Sequence, residues 1–330
     1  MTLSVLVLAG CGGEESTSPP PVERVAQDLA RSGAESVIVF VSEEGEEHVA
    51  TAGARRPTAT QRFRVGSVTK TFTAAIVLQL VEEGRLRLDN TLADHLPGVV
   101  PQGEELTIRR LLQHRSGLAN VTDYPAWLQR ASRSSSARPI DTLRFAAKQP
   151  LVFAPGREWG YSNTNYIALG LVIEKVTGRT YARELEERIL EPLDLDDTEL
   201  PKSRRPADLD DAGENPDVPW AAGAIVSNAR DLVRFYSALL SGEIVSDESL
   251  AAMEQTVDTG MPGAPAAGLG IFSVDEPCGR FWGHDGGILD YGTLVRAGDG
   301  GDRVAVISVH GGAPSGPPPD ETPLLCSAQE

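Results

Sequence analysis

Apolar and polar positions divide the chain into three stretches of different period. Val22 to Arg31 reads as a helix, and Ser36 to Ser42 with His48 to Ala54 reads as a hairpin across Glu43-Glu44-Gly45-Glu46-Glu47. The pattern then turns helical. From Ser67 to Gly84 the residues Phe72, Ala75, Ile76, Val77, Leu78, Leu80 and Val81 fall on nearly every face, and Gly84 stands as a stop. A helix apolar all round belongs in the centre of a protein. Further helical segments, punctuated by Pro and Gly, follow at Ile108 to His114, Pro139 to Lys148, Asn165 to Thr177, Tyr181 to Leu190 and Ala229 to Leu240. Strand pattern returns in Gly268 to Val274, Arg280 to His284, Ile288 to Arg296 and Arg303 to His310, with Asp299-Gly300-Gly301-Asp302 as a turn. Strands at both chain ends and helices between them predict an α/β (α+β) fold, one antiparallel sheet completed by both ends, flanked by helices and carrying an inserted helical lobe. Ser132 to Ser136 and Pro314 to Pro323 read as loops, and no internal repeat is visible.

Composition changes this picture in a few places. With 41% hydrophobic residues in 330, the chain can bury a large core in one domain or two lobes. A net charge of −17 with no run of Lys or Arg argues against nucleic acid as a partner. At the start, Leu3 to Ala9 form an apolar run too short to span a bilayer, ending in Leu8-Ala9-Gly10-Cys11 before the chain turns polar. This segment resembles a bacterial lipoprotein leader. The resemblance implies lipid on Cys11, a polar tether from Gly12 to Pro21, and an extracytoplasmic protein held at the membrane by its lipid; a monomer is expected. Met1-Thr2 departs from such leaders by carrying no Lys or Arg, which places the expected start further upstream. The bland alternative is a buried strand with an ordinary cysteine. If Cys11 carries lipid, Cys278 and Cys326 remain, either paired or as two free thiols; sequence does not supply the Cβ geometry that decides.

Chemistry concentrates at Ser67-Val68-Thr69-Lys70, which opens the apolar helix directly after the extended Phe63-Arg64-Val65-Gly66. The i,i+3 spacing places a hydroxyl and an amine on one face. A serine is a weak nucleophile until a base takes its proton, and a lysine whose pKa is lowered by burial can act as that base. The helix N-terminus adds free N–H groups that favour an oxyanion. Taken alone, the same four residues are equally a helix cap with a solvated lysine. No Gly-x-Ser-x-Gly elbow, Walker or dinucleotide fingerprint occurs, and five histidines without clustering do not make a zinc site, so no metal or cofactor is expected.

The Ser67-x-x-Lys70 element resembles that of the serine β-lactamase and penicillin-binding superfamily. Two further elements follow in order: Tyr161-Ser162-Asn163, a Tyr-x-Asn form ahead of a helix, and His284-Asp285-Gly286, the His-x-Gly form of D-alanyl-D-alanine carboxypeptidases and esterases of the class C-like branch. Supporting stretches cover most of 22–330, with an α/β lobe from 22–66 and 241–330 and a helical lobe from 67–240. The resemblance implies that Ser67 is acylated and that Lys70 and Tyr161 share proton transfer. It further implies that Asn163 holds the acyl-side amide, that His284 supports the Tyr161 hydroxyl, and that the backbone N–H groups of Ser67 and Gly287 form the oxyanion hole, with Gly286 in the substrate-binding strand. Asp285 departs from the pattern, because a Ser or Thr there usually helps bind a substrate carboxylate. Either Asp285 is turned away or neutralised, with Arg280 the cation in view, or the substrate lacks that carboxylate, as an ester or amide would. The tail departs too, its expected C-terminal helix being reduced to a Pro-rich run and Leu324 to Glu330. The implied activity is a D-alanyl-D-alanine carboxypeptidase acting on cell-wall peptide. The alternatives are a β-lactamase or carboxylesterase on the same site, or a penicillin-binding sensor lipoprotein that reacts without release. A solute-binding lipoprotein would instead show βαβ alternation in two similar halves.

Overall fold

The computed structural model describes residues 21–134, 136–204, 206, 209, 213, 215–260, 265–312 and 320–326; Cys11 and the leader and tether up to residue 20 lie outside them. Twelve helices are described: α1 (Pro21–Arg31), α2 (Thr69–Glu82), α3 (Leu92–His95), α4 (Ile108–Leu112), α5 (Pro125–Arg133), α6 (Pro139–Ala146), α7 (Asn163–Thr177), α8 (Tyr181–Leu185), α9 (Trp220–Gly223), α10 (Ala229–Leu240), α11 (Asp247–Met253) and α12 (Thr322–Leu325). The strands are β1 (Ser36–Glu43), β2 (Glu46–Ala52), β3 (Phe63–Arg64), β4 (Val226–Ser227), β5 (Ala266–Ala267), β6 (Phe272–Glu276), β7 (Gly279–Ile288), β8 (Tyr291–Gly298) and β9 (Arg303–His310).

Seven strands form one antiparallel sheet in the order β2-β1-β9-β8-β7-β6-β5, so the late strand β9 lies between β1 and β8 and both chain ends are needed to close the sheet. Alternation sorts β1 between two cores. Val37, Val39 and Val41 face outward onto Val22, Val25 and Leu29 of α1, while Ile38 and Phe40 face the helical side. The last described segment covers this outer face: Leu324 and Leu325 of α12 are buried in the same cluster, and Cys278, in the β6–β7 turn, is disulfide-bonded to Cys326.

On the inner face α2 is buried along almost its whole length, Thr69 through Leu78 and Leu80 included. Phe72 stacks on Phe235 with ring centroids 3.6 Å apart. The buried threonines of α2 are hydrogen-bonded, as a dry interior requires: Thr69 to the Ile225 amide, Thr71 to Tyr236 and the Gly270 carbonyl, Thr73 to Tyr181 and the Ala221 carbonyl.

Five boundaries differ from the hydrophobic pattern. Ser67 sits in a 3-10 turn, Gly66–Val68, ahead of α2. Helix α7 begins at Asn163 rather than Asn165. The segment read as Tyr181 to Leu190 breaks after Leu185 into a π-turn over Glu186–Leu190. The expected strand ending at His284 runs on to Ile288, because Gly286 and Gly287 pair with Thr293 and Gly292 of β8; tertiary pairing overrides their poor strand propensity. The strand expected from Gly268 starts only at Phe272, since the chain turns at Gly270, with φ +76°.

Candidate active site

Two glycines let strand β7 meet the turn that carries Ser67, backbone against backbone. A Cβ on Gly286 would lie 2.0 Å from the Val65 carbonyl oxygen, and one on Gly66, whose φ is +53°, would lie 2.8 Å from the Gly287 nitrogen. No other residue fits either position without moving the strand. The approach puts Ser67 and Gly287 on the wall of one cavity.

Ser67 Oγ lies 2.9 Å from Lys70 Nζ and 2.7 Å from the Tyr161 hydroxyl. Lys70 is fully buried, and its Nζ also donates to Asn163 Oδ1 at 2.7 Å and to the Ala222 carbonyl at 2.6 Å. Among the described residues Lys70 forms no ion pair with a carboxylate, and burial holds its amine well below the ordinary lysine pKa. Burial pushes the Tyr161 phenol the other way, above its ordinary value, with the Ser67 hydrogen bond partly opposing the shift. These directions favour a phenol that keeps its proton beside an amine that gives up its own more readily than an ordinary lysine.

The supporting groups come from separate parts of the chain. Asn163, in the first turn of α7, has its amide oriented by Asn120 Oδ1 and Thr122 Oγ1, which accept from Nδ2 at 3.2 and 3.3 Å, so Oδ1 faces Lys70. His114 stacks on Tyr161 with ring centroids 4.4 Å apart, and its Nδ1 accepts from the Ser162 amide at 3.1 Å. Burial, then the charge of Lys70, drive the His114 pKa well down, which keeps the ring neutral. The Ala222 carbonyl is delivered by α9, whose first residue, Trp220, has φ +35°, a strained value for a side chain of that size. Sequence reading did not single out His114, Asn120 or Ala222, because none belongs to a spaced motif and two act through backbone or stacking contacts.

The third element is arranged differently from what the resemblance implies. His284 Nδ1 lies 2.6 Å from the Asp285 carbonyl, and the ring stands 6.4 Å from Tyr161, centroid to centroid, with no hydrogen bond to its hydroxyl among the described residues. Its Nε2 is buried and has no hydrogen-bond partner among the described residues. Burial and then Lys70 push the imidazole pKa well below normal, so the ring is neutral. The cation paired with Asp285 is Arg296, not Arg280: Arg296 Nη1 donates to Asp285 Oδ1 at 2.6 Å. Strand register explains the correction. Arg280 pairs directly opposite Asp275 and binds it at 2.8 Å, whereas Asp285 lies opposite Leu294, which brings Arg296 onto its diagonal, on the same face.

Two cavities flank the Ser67–Tyr161 pair. One of about 290 Å³ is lined by Ser67 and Asn163 with Val121, Leu128, Ile167 and Ile288. The other, of about 300 Å³, is lined by Tyr161 together with Trp159, Phe272, Pro265, His284 and Asp285. The described residues hold no group of His, Cys, Asp or Glu placed to bind a metal ion, and no described helix is long and apolar enough to cross a membrane.

Comparison with known proteins adds a family. The model of the beta-lactamase family matches residues 22–328. Penicillin-binding protein 4 of Amycolatopsis lactamdurans is 31% identical over 281 residues, covering 76% of this chain and 72% of its own length. Protein flp of Staphylococcus aureus (strain MW2) is 33% identical over 144 residues, 42% of this chain, and the match spans only 28% of that relative. Among solved structures, a D-stereospecific amidohydrolase from Streptomyces sp. superposes with a TM-score of 0.83 at 33% identity, covering 88% of this chain and 94% of the other.

Proposed function

The chain belongs to the beta-lactamase family, within the superfamily of β-lactamases and penicillin-binding proteins, and from that premise we propose that it is a serine hydrolase that opens amide or ester bonds through an acyl-enzyme on Ser67. The observation that carries this reading is the position of Ser67 Oγ between a buried amine at 2.9 Å and a phenol at 2.7 Å. Neutral Lys70 takes the Ser67 proton as Oγ bonds to the substrate carbonyl carbon. The N–H groups of Ser67 and Gly287 hold the resulting oxyanion. Tyr161 gives its proton to the leaving nitrogen or oxygen as that bond breaks and is reprotonated from Lys70. Water then attacks the ester by the same relay in reverse. His284 acts here as a neutral ring that shapes the pocket rather than as a cation.

For the acyl side, the apolar cavity beside Asn163 fits a hydrophobic side chain. Together with the similarity to the D-stereospecific amidohydrolase, this favours an amide or ester of a D-configured residue. A second reading, a D-alanyl-D-alanine carboxypeptidase, is favoured by the match to a penicillin-binding protein over most of the chain. The discriminating experiment compares turnover of a D-amino-acid amide, a D-alanyl-D-alanine peptide, a p-nitrophenyl ester and a chromogenic cephalosporin. We expect the amide and ester to turn over, with the cephalosporin leaving a slowly released adduct on Ser67. If none of the four is hydrolysed and no adduct forms on Ser67, the reading is wrong; an adduct without turnover of any substrate would mark a sensor.

The same proposal places the enzyme outside the cytoplasm, a catalytic domain from residue 22 onward tethered by lipid on Cys11. Cys11→Ser should move the full chain from the membrane pellet to the supernatant, and unchanged sedimentation would remove the anchor.

A further inference from the structure

Resting on the acyl-enzyme reading, we propose that the aromatic cavity behind Tyr161 receives the leaving group, and that Asp285 makes it reject a carboxylate, so that the preferred substrate releases an uncharged apolar amine or alcohol. The cavity has Tyr161 as a shared wall with the nucleophile, whose Oγ is 2.7 Å from the phenol that would protonate the departing atom. It therefore begins on the side of the scissile bond away from Asn163 and the apolar cavity around it. Its other walls suit a ring or a branched aliphatic group. Trp159 and Phe272 meet edge to face at 6.4 Å, and Phe272 and His284 do so at 4.9 Å, with Pro265 closing one side.

Charge decides the rest. A substrate that leaves as a C-terminal amino acid brings a carboxylate into this space and needs a free cation to receive it. Arg296 pairs with Asp285, but its side chain is only 5% exposed; it already donates to Asp285 Oδ1 and the Val295 carbonyl, and its Nε lies within ion-pair distance of Glu321 Oε2, at 3.2 Å. Asp285 itself is 63% exposed on the cavity wall. Beyond it a cleft continues past Asp275, Glu276, Asp320 and Glu321, against which stand Arg280 and Arg296, both already paired. A carboxylate here would meet like charge, whereas an apolar group would meet aromatic faces.

The test uses two chromogenic substrates with the same acyl group and scissile bond, D-phenylalanine 4-nitroanilide and D-phenylalanine 3-carboxy-4-nitroanilide. The protein should prefer the first in kcat/KM by about 30-fold, and Asp285→Asn should shrink that ratio by about tenfold, each tenfold corresponding to about 1.4 kcal/mol. A ratio within threefold in the unaltered protein, or one that Asp285→Asn leaves unchanged, overturns the proposal. Should Asp285→Asn fail to fold, Trp159→Ala serves instead: kcat/KM for the nitroanilide should drop about tenfold relative to that for the simple amide, whose leaving group is ammonia, and an equal drop on both refutes the subsite. The same preparations are treated with a p-nitrophenyl ester and examined by mass spectrometry. An adduct on Ser67 with a flat substrate ratio sinks only the leaving-group subsite, whereas no adduct and no turnover sinks the acyl-enzyme reading itself.

Discussion

Ser67→Ala should abolish hydrolysis of every substrate while leaving the fold intact. Without Oγ no acyl-enzyme can form, and removing a serine nucleophile from a coupled relay lowers kcat by about 10⁶-fold in comparable enzymes. The structural cost is small. Lys70 loses its bond to Oγ but keeps Asn163 and the Ala222 carbonyl as partners, and the Tyr161 hydroxyl loses its bond to Oγ, each worth about 1 kcal/mol. Intact-mass measurement after exposure to a β-lactam and to an ester should show no added mass on the variant, beside a full adduct on the unaltered chain. A persistent adduct on the variant would place the nucleophile elsewhere.

Lys70→Ala should fold and bind but acylate about 10³- to 10⁴-fold more slowly, within the range expected for loss of a general base. The pH dependence gives a sharper test, because it follows from the direction of the Lys70 shift. Only the neutral amine can accept the Ser67 proton, and burial lowers its pKa below the ordinary 10.5. Acylation should therefore fall tenfold per pH unit below the folded-state pKa, level off above it, and stay level through the ordinary tyrosine range, since the Tyr161 phenol is shifted upward. Stability carries the same signature. Between the folded and unfolded pKa of Lys70 the unfolded chain binds the extra proton, so the unaltered protein gains stability relative to Lys70→Ala as pH rises through that window, and the gain is complete above 10.5. Denaturant unfolding of both proteins at several pH values measures the difference. A pH-independent difference, or near-normal acylation by Lys70→Ala, would take Lys70 out of the proton relay.

Legibility differed from element to element for physical reasons. The central helix was readable because its apolar residues surround it, a pattern that only full burial accommodates. Strands β1 and β9 were readable as short apolar runs, Ser36 to Ser42 and Arg303 to His310, which the sheet interior buries on both faces. Strand β7 was cut short at His284 because Gly286 and Gly287 argue against a strand locally, and only their partners on β8 hold them in one. His114 was passed over because nothing along the chain marks the ring that lies under Tyr161.

The sequence by itself determined the chemistry: a hydroxyl and an amine one turn apart on a helix too apolar for the surface, with a phenol and an imidazole following in a fixed order. These are properties of residue type and spacing. Tertiary structure decided what each group faces. It gave Asp285 to Arg296 through strand register, set His284 Nδ1 against the Asp285 carbonyl, and opened separate cavities beside Ser67 and beside Tyr161. Those outcomes depend on which strands become neighbours and how deeply a charge is buried, and distances of a few ångströms between residues far apart in the chain leave no mark on local pattern.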